Sequence, residues 1–261
     1  MSALKIVAGL SLVTLFTACS DGVGPGAAAG KQTVNLNISA VRSGPAAAAP
    51  ESVTVNGHTL VFGKVELVIA KFKLKRISNS VDCTEDGPSD SVGSGGAEAS
   101  HGDDDCNEVD AGPFLVDLPL GGGIKRIVSV EVDTGTYRRV EYKIHKAEDH
   151  NVDGAFLSQH PDLEGVSVRV TGVYDGAPFV YVADLKAKQK NDLVPPLVVG
   201  AAGATDFTLA VDISRWFVTS GGALVDPVTA LKGGPNDNLV RDNIRRSFRC
   251  FKDHDRDGHD D

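Results

Sequence analysis

Basic charge is scarce in this sequence. Lysine and arginine number 26 against 35 aspartates and glutamates, a net charge of −9. A nucleic-acid binder needs a basic stripe to neutralise phosphates, so no nucleic-acid partner is expected. Electrostatic docking of the whole chain on anionic lipid is disfavoured for the same reason. Long apolar runs are missing too. After residue 19 no stretch approaches the about 20 apolar residues that a membrane-crossing helix requires. No segment recurs with a period of about 20 to 50 residues, which excludes a solenoid. Neither a G-x-S-x-G elbow nor an H-E-x-x-H zinc motif occurs, so the common hydrolase signatures give no catalytic residue.

What is present begins with an export leader. Lys5 and the amino terminus supply positive charge, and Ile6 to Phe16 is apolar and uncharged. Small residues Thr17 and Ala18 follow, then Cys19. That is the three-part layout of a signal peptide over residues 1–18. Leu15-Phe16-Thr17-Ala18-Cys19 resembles the bacterial lipobox, with Phe16 bulkier than the usual aliphatic residue. The resemblance implies acylation of Cys19, a palmitate-type lipid anchor and cleavage before the cysteine. An ordinary signal peptide with an incidental cysteine is the plainer alternative. Ser20 stands where an aspartate would retain such a protein at the inner membrane, so an outer-membrane address is expected. Residues 19–31 are Gly/Ala-rich without apolar periodicity and read as a flexible tether. Gly22, Gly24 and Gly26 belong to that tether, because no strand precedes them to make a phosphate loop. Loss of residues 1–18 removes only Lys5 and takes the net charge from −9 to −10.

Of the four cysteines, three remain. Cys83 and Cys106 flank a segment rich in Gly, Ser and acidic residues that contains no Lys or Arg. Such a composition buries too little apolar surface to offset its ordering entropy, so 78–111 is expected to be a disordered acidic insertion. A Cys83–Cys106 disulfide across its base suits an oxidising compartment. Cys250 is then either a free buried thiol or the true partner of one of the two, since spacing alone does not fix connectivity.

Period-two alternation dominates residues 33–214. Val34, Leu36 and Ile38 alternate with Asn35, Asn37 and Ser39; Val128, Val130 and Val132 share a face, as do Val140, Tyr142 and Ile144. Asp175-Gly176 between two alternating runs predicts a tight hairpin. In the run 60–77 the apolar parity switches, from Val65, Leu67 and Ile69 to Ala70, Phe72 and Leu74, which predicts a bulge near 68–71. Strands with one apolar and one wet face predict an all-β, antiparallel β-sandwich over 32–219. Residues 220–261 predict a connection, a short helix capped by Asn236, and an acidic tail. The helix is expected to pack Ile244, Phe248 and Phe251 on the sandwich. Trp216-Phe217 reads as a core plug rather than a sugar platform.

Three segments carry a family likeness: His58 to Leu67, Gly112 to Leu120, and Asp133-Thr-Gly-Thr-Tyr137 to Glu141. Together they resemble a group of uncharacterised bacterial lipoproteins with a transthyretin-like β-sandwich domain of unknown function. The likeness covers roughly residues 32–217, and its motifs are structural. It implies a fold and an envelope location and carries no catalytic residues.

Metal-ligand spacing occurs twice. Asp149, Asn151 and Asp153 before Gly154, and Asp253, Asp255 and Asp257 before Gly258, both fit D-x-[DN]-x-[DN]-G. Alternate residues of a tight loop can aim three hard oxygens at one calcium ion, and the glycine permits the turn. Neither loop has the bidentate Glu of a complete motif, so each is a half-site; the plainer reading is a polar loop and a solubilising tail. His145, His150 and His160 lie near one another without a convincing second-ligand spacing, and His145 shares the wet parity of Arg139, Glu141 and Lys143.

These features point to a membrane-anchored envelope module that binds or scaffolds without catalysis, stabilised by calcium, with a protein or glycan partner. The rival reading is an extracytoplasmic enzyme or accessory carbohydrate-binding protein whose site is assembled from distant loops. The anchor is directly testable. Cys19→Ser is expected to abolish incorporation of radiolabelled palmitate, and undiminished labelling would exclude lipidation at that residue.

Overall fold

The computed structural model describes residues 30–41, 52–77, 108–147, 153–200 and 204–258. Cys19, Cys83, Cys106, Asp149, Asn151 and His150 lie outside them. The described residues form an all-β, sandwich-like arrangement of mostly antiparallel strands with two short helices. None of these helices is long and apolar enough to cross a membrane.

One sheet has four strands. β1 (Lys31–Val41) and β11 (Thr205–Asp212) lie at its centre, flanked by β6 (Ile124–Asp133) and β12 (Phe248–Lys252). β1 and β11 run parallel, from Val34↔Thr205 to Val41↔Asp212, a pairing that alternation alone does not distinguish from an antiparallel one. The second sheet has eight strands built around β3 (His58–Arg76). Its main path is β10 (Ala187–Val199), β7 (Gly135–Ile144), β3, β8 (Val168–Tyr174) and β9 (Ala177–Ala183). β2 (Ser52–Val55), β4 (Glu108–Ala111) and β5 (Phe114–Asp117) also pair with β3.

The apolar parity of each strand faces one shared core. Val34, Leu36 and Ile38 of β1 and Phe207, Leu209 and Val211 of β11 are at most 1% exposed. They belong to the same cluster as Val140, Tyr142 and Ile144 of β7 and Val168 and Val170 of β8. Trp216 and Phe217 are buried core residues, as the sequence predicts. Phe62 meets both rings, at centroid distances of 6.5 Å and 6.1 Å.

The parity switch in β3 is a bulge: its register against β7 jumps between Ile69 and Lys71, so side chains on both sides of the step reach the core. The Asp175-Gly176 turn joins β8 to β9 with both residues at positive φ, 49° and 85°, as a two-residue hairpin demands. A second such turn, Asn56-Gly57 at 51° and 85°, joins β2 to β3.

Three expectations need correction. The proposed insertion 78–111 is too long at its end, because Glu108–Ala111 pairs with Lys75–Phe72 as β4 and Val109 packs on the core. The segment 147–165, read from the sequence as a loop, contains helix from residue 153 on. It forms α1 (Asp153–Gln159) and a 3₁₀ turn (Pro161–Leu163). Phe156, Leu157 and Leu163 cover Val68 in a second small cluster on the outer side of β3. The C-terminal helix α2 (Asp237–Arg246) buries Val240 and Ile244 but stops before Phe248. Phe248 to Lys252 is instead β12, paired with β11 from Val211↔Phe248 to Phe207↔Lys252. The five-residue run alternates, placing Phe248 and Cys250 against the core, and edge pairing with β11 outcompetes another helical turn. Cys250 is a free thiol, which burial pushes up to about 12.

Removing the Phe62 ring leaves a void beside Trp216 and Phe217. Phe62→Ala is expected to cost about 3–5 kcal/mol in chemical denaturation, and a loss under about 1 kcal/mol would show that the aromatic cluster is not central to the core.

Candidate metal centre on the four-stranded sheet

The polar parity of β1 and β11 is where the structure departs most from its sequence. Asn35, Asn37, Asp206 and Thr208 alternate with core residues and were expected to be wet. All four are at most 4% exposed. Because the two strands are parallel neighbours, Asn35 lies beside Asp206 and Asn37 beside Thr208 on one outer face.

Burial of these groups demands partners. Asn35 Nδ2 donates to Asp206 Oδ2 at 3.2 Å, and Asn37 Nδ2 donates to Asp206 Oδ1 at 3.0 Å. Ser129 Oγ of β6 donates to Asn35 Oδ1 at 2.7 Å. Two guanidinium groups add charge balance: Arg126 lies 3.9 Å and Arg256 3.5 Å from Asp206 Oδ1. Both Asp206 carboxylate oxygens are therefore engaged.

The cover over this face is the segment after β12. Asp253 N donates to the Asp206 carbonyl at 3.1 Å, continuing the strand pairing by one bond. The Asp253 side chain is 0% exposed. Its carboxylate accepts a 2.5 Å hydrogen bond from Thr208 Oγ1 and two long contacts, 3.3 and 3.4 Å, from Gly258 N. Asp255 Oδ1 accepts from Asp257 N at 3.2 Å. Arg256 and Gly258 have positive φ, 58° and 86°, and these two left-handed residues curl the segment into a loop. Carboxylate oxygens of Asp253, Asp255 and Asp257 thereby lie within 4.8 Å of one another. Arg256 leans away from that point, towards Asp206. Neither a family model, nor a curated protein, nor a solved structure matches this chain.

The charge arithmetic of the loop points to a cation. Burying an ionised carboxylate costs several kcal/mol after relaxation, and one hydrogen bond to a charged group returns about 1.5–3 kcal/mol. The Thr208 hydrogen bond and the two long contacts from Gly258 N are a thin return for the burial of Asp253. Among the described residues no cationic side chain pairs with it. Three hard carboxylate oxygens and no nitrogen or sulfur ligand suit calcium or magnesium rather than a softer metal. Calcium takes six to eight oxygens, so water or main-chain carbonyls would complete the shell.

Of the other proposed ligands, Asp153 is the described member of the first loop and opens α1. His145 sits just past β7 with Nδ1 2.7 Å from the Lys146 carbonyl oxygen, and the His160 ring meets Phe156 at a tilt, with centroids 4.9 Å apart. Neither joins a metal-ligand cluster among the described residues. Sequence reasoning missed Asn35, Asn37, Asp206 and Thr208. The available signal was a strand whose polar parity held two amides opposite a strand whose polar parity held an acid.

Thr208→Val keeps the side-chain shape and removes the donor to Asp253. In chelator it is expected to destabilise the protein by about 1.5–3 kcal/mol in urea unfolding. An unchanged midpoint would show that Asp253 does not depend on Thr208.

Proposed function

We propose that this chain is a lipid-anchored module of the bacterial cell envelope that binds or scaffolds without catalysis, and that calcium clamps its C-terminal edge. The observation that carries the calcium reading is the loop Asp253–Gly258, in which a fully buried carboxylate and two exposed ones converge. Calcium would be held by Asp253, Asp255 and Asp257. Its role would be structural: it would tie the end of β12 to Thr208 and hold the loop over the buried amides of β1.

The export leader, the lipobox-like Leu15 to Cys19 and the Gly/Ala tether support an anchored topology in which lipid at Cys19 would meet the membrane and the tether would carry the sandwich. Ser20 favours the outer membrane. The likeness of residues 58–67, 112–120 and 133–141 to uncharacterised lipoproteins with a transthyretin-like domain agrees with that address. A Cys83–Cys106 bridge belongs to the same picture, since an oxidising compartment favours it. The partner of such a module would be a protein or a glycan met by loops on a rigid scaffold.

Ligand linkage provides the test. Calcium at about 100 times its Kd adds about 2.7 kcal/mol to the folded state, which raises Tm by roughly 5–10 °C for a domain of this size. The rise is expected in wild type, reversed by chelator, and absent from Asp253→Asn. No shift in wild type would remove the metal. A shift that survives Asp253→Asn but is lost in Asp149→Asn would move the site to the first loop.

A further inference from the structure

The acidic surplus of the chain hides a local exception. A cleft of about 880 Å³ opens where the β2 edge, the end of β11, the turn after it, α2 and β12 meet. Three of its lining residues are arginines, Arg215, Arg246 and Arg249, and no lysine lines it. They come from three different elements: the 3₁₀ turn Ile213–Arg215, the last turn of α2, and β12. Asp212 is the acidic residue of the lining, and its Oδ1 accepts from Ser214 N at 3.0 Å and from Ser214 Oγ at 2.5 Å.

Several arginines elsewhere among the described residues are tightly paired. Arg139, Arg169, Arg241 and Arg245 each reach a carboxylate at 2.5–2.6 Å. The three cleft arginines make no ion pair among the described residues. Arg246 Nε donates to the Asp242 carbonyl at 3.1 Å, which fixes its stem while leaving the terminal nitrogens to the cleft. Like charges lining one cleft repel one another, and a bound anion would relieve that repulsion.

The walls are held in place by part-buried hydrogen bonds. Asn243 Nδ2 donates to the carbonyls of Trp216 and Val218, at 3.2 and 2.8 Å. Trp216 Nε1 donates to Ser247 Oγ at 2.8 Å, and Asp212 N to the Ser247 carbonyl at 3.0 Å. These contacts lock α2 and the start of β12 against the turn that carries Arg215, so little ordering remains for a ligand to impose. Val41, Val53 and Leu239 add apolar wall beside the charges, and the volume falls in the range of small-molecule sites.

We infer that this cleft binds a phosphate monoester, its dianionic head held by Arg215, Arg246 and Arg249 and its organic part lying on the apolar wall. A guanidinium presents a planar fork of donors suited to phosphate oxygens, and three of them line this cleft. The site shares no side chain with the calcium loop and does not rest on the calcium reading. The same chemistry occurs in a soluble ester and in a lipid headgroup.

Two probes separate these sources, applied to the full chain: glycerol 3-phosphate by isothermal titration, and phosphatidylcholine vesicles with or without phosphatidic acid by co-sedimentation. Binding of glycerol 3-phosphate assigns the soluble ester, and binding of phosphatidic acid vesicles alone assigns the headgroup. In either case Arg215→Gln and Arg249→Gln are each expected to weaken binding by about tenfold or more. Arg138→Gln, an exposed arginine on β7 away from the cleft, should leave it unchanged. Unaltered Tm in the variants shows that they fold. Failure of both probes to bind wild type, or an equal loss in Arg138→Gln, would overturn the assignment.

Discussion

The rest of the four-stranded sheet depends on the buried carboxylate of Asp206. It stands on the outer face of a central strand, where water would ordinarily solvate it, and it is 4% exposed. Two amides from β1 and two guanidinium groups compensate that burial. The amides reach it only because β1 and β11 are parallel and in one register. Any slip of one residue would turn Asn35 and Asn37 into the core and Leu36 out of it. The polar network thus fixes register on one face while Val34, Leu36 and Ile38 fix it on the other. A hydrophobic face alone is satisfied by several registers; a charge that must meet two particular amides is not.

Much of the fold was legible because burial in this protein follows parity. The β3 bulge, the Asp175-Gly176 hairpin and the Trp216-Phe217 plug each left a local signature. What escaped was non-local or ambiguous in period. Phe248 to Lys252 has apolar residues at positions that suit a helix face as well as a strand, and only the open edge of β11 decides between them. The parallel β1–β11 pair joins residues about 170 apart in sequence, beyond any local pattern. Asn56-Gly57 did carry a strong turn signature, yet the short β2 before it did not stand out as a strand. The candidate metal loop was legible as spacing. Its floor of Asn35, Asn37, Asp206 and Thr208 was not, because polar residues on strand faces are usually solvated and these are covered by the chain itself.

The C-terminal segment links the core, the cleft and the candidate metal loop. α2, β12 and the loop Asp253–Gly258 follow one another without an intervening linker, so one short stretch supplies Ile244 to the core, Arg246 and Arg249 to the cleft, and three carboxylates to the loop. β12 is an edge strand of five residues, held by pairing with β11 alone. Its two ends are pinned by different chemistry: Ser247 to Trp216 at one, Asp253 to Thr208 at the other.

The parallel pairing of β1 with β11 also dictates an order of assembly. The eight-stranded sheet draws its strands from residues 52–199 and can gather through hairpins such as β2–β3 and β8–β9, where loop closure is short. β1 comes first in the described chain yet has no central neighbour until residues 205–212 emerge. Until then β1 can pair only with β6, and its apolar face lacks the parallel neighbour beside it. The four-stranded sheet is therefore the last part to close, and a chain interrupted before residue 205 would present Val34, Leu36 and Ile38 to chaperones and proteases rather than to a core.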